Sequence, residues 1–128
     1  MNNNYALITG STAGIGLDIA QELASRGHNI LLTARREDRL KDIAEQIVAD
    51  FGVEAHYVVA DLGEIDAPGK IFDFCTSNNY VVDILVNNAG YSINKKFHET
   101  DEAEEEKFLR VLGTGVIALT KRFIPSML

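Results

Sequence analysis

Residues 5–16 read YALITGSTAGIG, a short apolar run followed directly by a segment that contains three glycines. The apolar run, Tyr5–Ile8, has the length and composition of a strand buried on both faces. Glycine has no Cβ, so it allows a tight turn and lets another group approach the backbone closely. Small residues then recur every fourth position, at Gly16, Ala20 and Ala24, which is the spacing of one helix face. The stretch therefore predicts a strand, a glycine turn and a helix in succession.

The beginning of this predicted helix is a candidate phosphate site. A helix N-terminus has unpaired N–H groups and the positive end of the helix dipole, and both suit a pyrophosphate. A second stripe, Ile15, Ile19 and Leu23, predicts an apolar face, and Gly27 predicts the end of the helix. No Gly-Lys-Ser/Thr follows the turn, which argues against nucleotide hydrolysis of the P-loop type. The glycines alone leave open a plain strand–helix turn that binds nothing.

Length, charge and cysteine content limit the class of protein. The 128 residues suit one domain, and the net charge of −7 gives no electrostatic footprint for nucleic acid. Six acids between positions 99 and 106 predict a solvated helix start. Cys75 is the one cysteine, which excludes an internal disulfide, and its apolar neighbours predict a buried helix position. No signal-like N-terminus and no apolar run of about 20 residues is visible, so we expect a cytoplasmic protein without a membrane span.

Four apolar segments, 5–8, 29–34, 55–60 and 82–86, alternate with helical patterns. Strands that alternate with helices predict right-handed βαβ units and a parallel sheet. We therefore expect an α/β fold with a doubly wound sheet of about four strands, whose ligands bind at the carboxyl ends of the strands. A last helix is predicted from about Asp101 to Met127. Its predicted apolar stripe consists of Phe108, Leu109, Leu112, Val116, Leu119 and Phe123.

Two arginines, Arg35 and Arg36, follow the second predicted strand. In a dinucleotide-binding fold, the residue about 20 positions after the glycines meets the adenosine ribose. A carboxylate there accepts hydrogen bonds from the 2′-hydroxyl, whereas an arginine suits a 2′-phosphate. The pair therefore favours NADP over NAD. The alternative is that both are surface residues at the start of a helix, with Glu37 and Asp38 in its first turn, where the dipole favours acids.

Polar residues also follow the third and fourth predicted strands. Asp61, which precedes Leu62, either accepts a hydrogen bond from an adenine amino group or caps the next helix. Asn87-Asn88-Ala89-Gly90 follows the fourth strand. The two amides can tie neighbouring loops together through backbone hydrogen bonds, and Ala89 and Gly90 leave room for a flat ligand. The segment could also be a generic turn, but its position beside the other strand ends indicates one shared cleft.

Together these motifs resemble the N-terminal half of the short-chain dehydrogenase/reductase family. Thr9–Gly16 matches that family's cofactor turn, Asp61-Leu62 its adenine contact and Asn87–Gly90 its signature after the fourth strand, while Arg35 matches the position that marks NADP-preferring members. The resemblance implies a Rossmann fold, an NAD(P)(H) cofactor, hydride transfer between carbonyl and alcohol, and dimers or tetramers. The cofactor-binding residues that we predict are Gly10, Ser11, Thr12, Gly14, Ile15, Gly16, Arg35, Arg36, Asp61, Leu62, Asn87, Ala89 and Gly90.

The sequence departs from the family pattern in two places. The family's catalytic serine, tyrosine and lysine lie further along than residue 128. Of the four tyrosines here, Tyr91 alone has a lysine four positions later, Lys95, and this pair comes directly after the Asn87–Gly90 segment rather than in the family's catalytic region. We therefore predict no catalytic residue within the 128. The family usually has an asparagine in the long helix, three positions before a glycine. Leu112 fills that place before Gly115, and leucine cannot support a water-mediated proton path.

These observations lead to one main hypothesis and one alternative. The main hypothesis is that residues 1–128 form the NADP-binding portion of a short-chain oxidoreductase, inactive by themselves, that would act on a carbonyl or alcohol substrate in a complete protein. The alternative is a non-catalytic module that binds a dinucleotide or pairs with other subunits. Because the fourth strand would be an open edge, we also expect a homo-oligomer.

Overall fold

The computed structural model describes residues 4–91 and 93–128 and contains one parallel sheet with helices on both faces. The strands are β1 (Asn4–Thr9), β2 (Asn29–Ala34), β3 (Ala55–Val59) and β4 (Val81–Val86). The helices are α1 (Gly14–Ser25), α2 (Glu37–Phe51), α3 (Ala67–Ser77), α4 (Glu102–Leu109) and α5 (Gly115–Met127). A 3-10 turn, Phe97–Glu99, precedes α4, and a π-helical segment, Arg110–Thr114, joins α4 to α5.

The strand order is β3-β2-β1-β4, and every pair is parallel. β1 lies inside the sheet, so the predicted first strand is buried from Tyr5 to Thr9. One layer of the core packs against α1 and α2, and the other against α3 and α5. This arrangement confirms the predicted doubly wound sheet of the Rossmann type. It also brings the ends of β1, β2, β3 and β4 to one edge, where ligands of such sheets bind.

The start of α1 lies close to the sheet because its inward face carries almost no side chain. Gly16, Ala20 and Ala24 are buried, as the four-residue spacing predicted. The second predicted stripe is only partly correct, since Ile15 is 71% exposed while Ile19 and Leu23 pack against the core. The physical reason is that the small-residue stripe takes the position against the sheet, which leaves Ile15 at the rim.

The predicted helix 101–127 is divided by the π-helical segment, and its buried stripe differs from the predicted one. The buried residues lie four apart, at Val111, Gly115, Leu119 and Phe123. Leu109 and Leu112, which we placed on the stripe, are exposed. This part of the chain packs on α3 and β4, and one residue in four is buried there.

Candidate functional site

A cleft of about 700 Å³ lies at the carboxyl ends of the strands. Residues from all four strand ends and from the π-helical region line this cleft, so no single segment of the sequence forms it. The predicted residues that line it are Gly10, Thr12, Ile15, Arg35, Arg36, Asp61, Leu62, Ala89 and Gly90. The lining residues that our prediction did not include are Ala13, Thr33, Ala34, Ala60, Asn88, Tyr91, Lys107 and Val111.

The glycine turn and the loop after β4 are tied together by a small hydrogen-bond network. Thr9 Oγ1 accepts hydrogen bonds from the N–H groups of Asn88 and Ala89, each at 2.9 Å. The Asn88 side-chain amide donates to the Gly10 carbonyl at 3.1 Å. These bonds confirm that an amide after the fourth strand holds the neighbouring loop. They span nearly 80 positions of sequence and hold the loop after β4 against the glycine turn.

Two glycines are required by this close approach. A Cβ on Gly10 would lie 2.8 Å from the Ala89 Cα, and a Cβ on Gly16 would overlap both the Gly10 carbonyl oxygen and the Asn88 side-chain amide. Gly10 and Gly14 also have φ values of +66° and +58°, a left-handed conformation that favours glycine. The turn therefore cannot carry side chains at these points without moving the backbone or the loop after β4.

The start of α1 is open to an anion. Among the described residues, no side chain caps α1 at Ala13, and its first turn contains no acidic residue. Two buried hydroxyls, Ser11 Oγ and Thr33 Oγ1, also lack a hydrogen-bond partner among the described residues. Uncapped N–H groups at a helix start and unused donors beside it fit a phosphate-bearing ligand.

The two arginines after β2 line the same cleft. Arg35 and Arg36 are exposed, and Arg36 is also the N-cap residue of α2. Glu37 and Asp38 occupy the first turn of α2, as predicted. Both interpretations of the arginines are therefore compatible with their place, because the start of α2 is itself a wall of the cleft.

Asp61 is held by its own loop and by α4. Its carboxylate accepts a hydrogen bond from the Gly63 N–H at 2.8 Å and lies 3.0 Å from Lys107 Nζ. Burial by itself raises the pKa of Asp61, but the hydrogen bonds from Lys107 and Gly63, together with nearby positive charge, hold that pKa below its ordinary value. Asp61 does not cap the next helix, since α3 begins only at Ala67, so that alternative is wrong.

A family model described as short chain dehydrogenase matches residues 4–128. The chain belongs to the short-chain dehydrogenase family. The 3-oxoacyl-(acyl-carrier-protein) reductase FabG of Aquifex aeolicus is 35% identical over 128 residues, which cover 100% of this chain and 52% of that relative.

Two solved structures have the same fold. L-Sorbose reductase from Gluconobacter frateurii, complexed with NADPH and L-sorbose, matches with a TM-score of 0.88 and 31% identity, over 99% of this chain and 50% of that one. A metagenomic short-chain oxidoreductase in complex with NADP matches with a TM-score of 0.89 and 32% identity, over 99% and 57%. This short-chain dehydrogenase chain thus spans about half the length of these relatives.

Four predicted site residues do not line the cleft of this short-chain dehydrogenase. Ser11, Gly14 and Gly16 belong to the turn and the start of α1 but are not among the lining residues. Asn87 points elsewhere, and its amide donates to Thr120 Oγ1 at 3.1 Å. The neighbouring Asn88 takes the place at the cleft, where its side-chain amide donates to the Gly10 carbonyl. Sequence order alone gave no signal for choosing between the two amides.

In this short-chain dehydrogenase, Leu112 stands where the family usually has an asparagine, and the structure shows what it contacts. A Cβ on Gly90 would lie 3.0 Å from Leu112 Cδ2, so the leucine lies against the loop after β4. Val111, the preceding residue, is buried and lines the cleft. The π-helical segment therefore presents apolar side chains to this end of the cleft.

Within the described residues, no helix is long and apolar enough to cross a lipid bilayer.

Replacing Lys107 with methionine is expected to raise the pKa of Asp61, because the Lys107 ammonium is a hydrogen-bond donor and a positive charge beside that carboxylate. A lowered pKa in the folded state stabilises the fold above the unfolded pKa, and this contribution is lost as pH falls through the folded pKa. In Lys107→Met this contribution should be smaller, and its loss should be complete at a higher pH. Carboxyl-carbon NMR titration measures the pKa directly.

The matched control for that titration is Lys95→Met. Lys95 forms an ion pair with Glu104 at 3.0 Å. Its replacement therefore removes one positive charge, as Lys107→Met does, but leaves the partners of Asp61 in place. We expect the pKa of Asp61 to be unchanged in the control. An unchanged Asp61 pKa in Lys107→Met as well would contradict the role that we assign to Lys107.

Proposed function

We propose that residues 1–128 form the adenosine side of an NADP(H) site in a short-chain oxidoreductase. The observation that carries this proposal is that Arg35 and Arg36 line the same cleft as the glycine turn. A turn that fits a pyrophosphate and a pair of cations beside it match a dinucleotide with a third phosphate on its ribose. The NADPH and NADP complexes of the two similar structures support the same cofactor class.

Each wall of the cleft has a separate task in this proposal. The glycine turn and the first N–H groups of α1 hold the pyrophosphate, and Arg35 and Arg36 hold the 2′-phosphate. Asp61, which retains free acceptor positions on its oxygens, accepts a hydrogen bond from the adenine amino group. Ala89 and Gly90 leave a flat surface for the middle of the cofactor. When bound, NADP(H) supplies or accepts the hydride that is exchanged with a carbonyl or alcohol.

Proton transfer at the substrate is not assigned to any of these residues. A proton donor for carbonyl reduction needs a group with a suitable pKa beside the reacting oxygen. Tyr91 has Lys95 four positions later, but Lys95 is paired with Glu104 at 3.0 Å, and the pair directly follows the loop after β4 instead of lying in the family's catalytic region. Leu112 cannot donate or accept a hydrogen bond. We therefore propose that these residues bind and orient the cofactor, and that they do not turn over a substrate by themselves.

Calorimetric titration of the folded chain with NADP⁺ and NAD⁺ tests the proposed function. We expect both to bind, with NADP⁺ tighter, because the arginine pair adds contacts that only the 2′-phosphate can use. A chain whose circular dichroism shows a folded state but which binds neither dinucleotide would contradict the proposal. Equal affinity for NADP⁺ and NAD⁺ would support a dinucleotide site but contradict the proposed preference for NADP.

We also expect the chain to self-associate. β4 is an edge strand among the described residues, and Ile117 and Ile124 on α5 are 66% and 43% exposed. An open strand edge beside apolar side chains promotes association, while the net charge of −7 opposes it. Higher salt should therefore favour dimers or larger species, since it screens the repulsion. Light scattering across a concentration series at two salt concentrations measures this, and a monomer under all conditions would contradict it.

A further inference from the structure

The glycine turn is held from a second direction by a residue that the sequence motifs do not include. Arg39 Nη2 donates a hydrogen bond to the Thr12 carbonyl oxygen at 2.9 Å. Thr12 lies between Gly10 and Gly14, two residues with left-handed φ values. Such a turn has no helix or strand ladder of its own, so contacts from neighbouring elements must define its position.

Arg39 is carried by a rigid part of the fold. It is the third residue of α2, and the next residue, Leu40, is buried in the core with its N–H bonded to the Arg36 carbonyl. Ala44 and Ile47 bury the same face of α2 further along. The guanidinium therefore extends from a fixed helix start toward the turn, rather than from a loose surface segment.

The bond joins the two walls that the proposed cofactor site requires. Thr12 lies on the glycine-turn side of the cleft, and Arg35 and Arg36 lie on the α2 side. We infer that Arg39 is a positioning residue for dinucleotide binding, which holds the glycine turn at a fixed distance from the arginine pair. This inference rests on the proposed function. It adds a residue that positions the glycine turn and that belongs neither to the glycine motif nor to the arginine pair.

A positioning role predicts a different result from a contact with the 2′-phosphate. In Arg39→Ala the turn is less well ordered before binding, so affinity for NADP⁺ and for NAD⁺ should fall by the same factor. The loss of one such hydrogen bond is expected to weaken both by about three- to tenfold. The ratio of the two affinities should stay as in the wild-type chain, whereas a phosphate contact would lower the affinity for NADP⁺ alone.

The experiment compares the wild-type chain with Arg39→Ala, Arg39→Lys and Arg26→Ala. Calorimetry gives the affinities for NADP⁺ and NAD⁺, and NMR hydrogen exchange of the ligand-free chain follows the amides of residues 12–16. Arg26 forms an ion pair with Glu22 on the surface of α1, so its removal is a matched loss of charge. We expect faster exchange and weaker binding only in Arg39→Ala, with partial recovery in Arg39→Lys because lysine can donate to the same carbonyl.

Three outcomes would overturn the inference. Unchanged affinity and unchanged exchange in Arg39→Ala would show that the bond does not position the turn. A loss for NADP⁺ alone would assign Arg39 to the 2′-phosphate. A thermal unfolding midpoint far below that of Arg26→Ala would show a general structural role. Failure of the folded wild-type chain to bind either dinucleotide would instead remove the proposed function, and the exchange rates would still report whether Arg39 holds the turn.

Discussion

Replacing Gly16 with alanine is expected to destabilise the fold and to abolish dinucleotide binding. The added Cβ would overlap the Gly10 carbonyl oxygen and the Asn88 side-chain amide. The Gly10 carbonyl is backbone, and the Asn88 amide holds the loop after β4 through its hydrogen bond to Gly10. Moving either group therefore costs free energy of folding. Overpacking of this kind costs about 1–3 kcal/mol of unfolding free energy. Because the shifted groups also form the proposed pyrophosphate site, binding of NADP⁺ should be lost in the fraction that remains folded.

Urea denaturation and calorimetry measure the two effects, and Gly113→Ala is the control. Gly113 lies in the π-helical segment, and among the described residues nothing lies within 4 Å of an added Cβ. Alanine in a helix is favoured over glycine by about 0.5–1 kcal/mol, so the control should be neutral or slightly more stable. Equal stability of the two variants would contradict the close approach of α1 to the loop after β4.

The second large effect is expected from Arg35→Ala/Arg36→Ala. If the arginine pair holds the 2′-phosphate, the double variant should bind NADP⁺ more weakly and NAD⁺ about as well as before. A hydrogen bond to a charged group contributes about 1.5–3 kcal/mol, which corresponds to a roughly tenfold to more than hundredfold loss of affinity. The double variant is preferred to Arg35→Ala because Arg36, which lines the same cleft, can take over part of the contact.

Calorimetric titration with both dinucleotides gives the ratio of affinities that decides this prediction. Arg26→Ala/Lys70→Ala is a control of equal charge change, since both residues are exposed and neither lines the cleft. The control should retain the preference for NADP⁺ apart from a small, salt-dependent change. If the arginine variant lost both dinucleotides equally, the pair would not be the element that distinguishes NADP from NAD.

Much of the fold was predictable because its signals are local. The predicted strand 29–34 matches β2 at both ends, β3 and β4 differ from their predicted segments by one residue at one end, and β1 differs by one residue at each end. Cys75 is buried on α3, as predicted. Continuous apolar runs and helical spacing report burial directly, since each element must hide its own apolar face.

The predictions that failed concern which side of an element faces the core. Leu109 was assigned to the buried stripe of the last helix, while Val111 and Gly115 occupy it. A helical pattern gives the period of an apolar face but not its width. That width depends on which elements the helix meets, and here α5 meets α3 and β4.

The order of elements, the glycine turn and the polar residues at the strand ends can all be read from the sequence, because spacing and glycine conformation act over a few residues. The contacts that shape the cleft cannot be read in this way. Asn88 bonds to Gly10, Lys107 pairs with Asp61, and Arg39 holds Thr12, across separations of 27 to 78 residues. These partners meet only because parallel strands bring their carboxyl ends to one edge, and the choice of Asn88 over Asn87 follows from which way each side chain points once the sheet has formed.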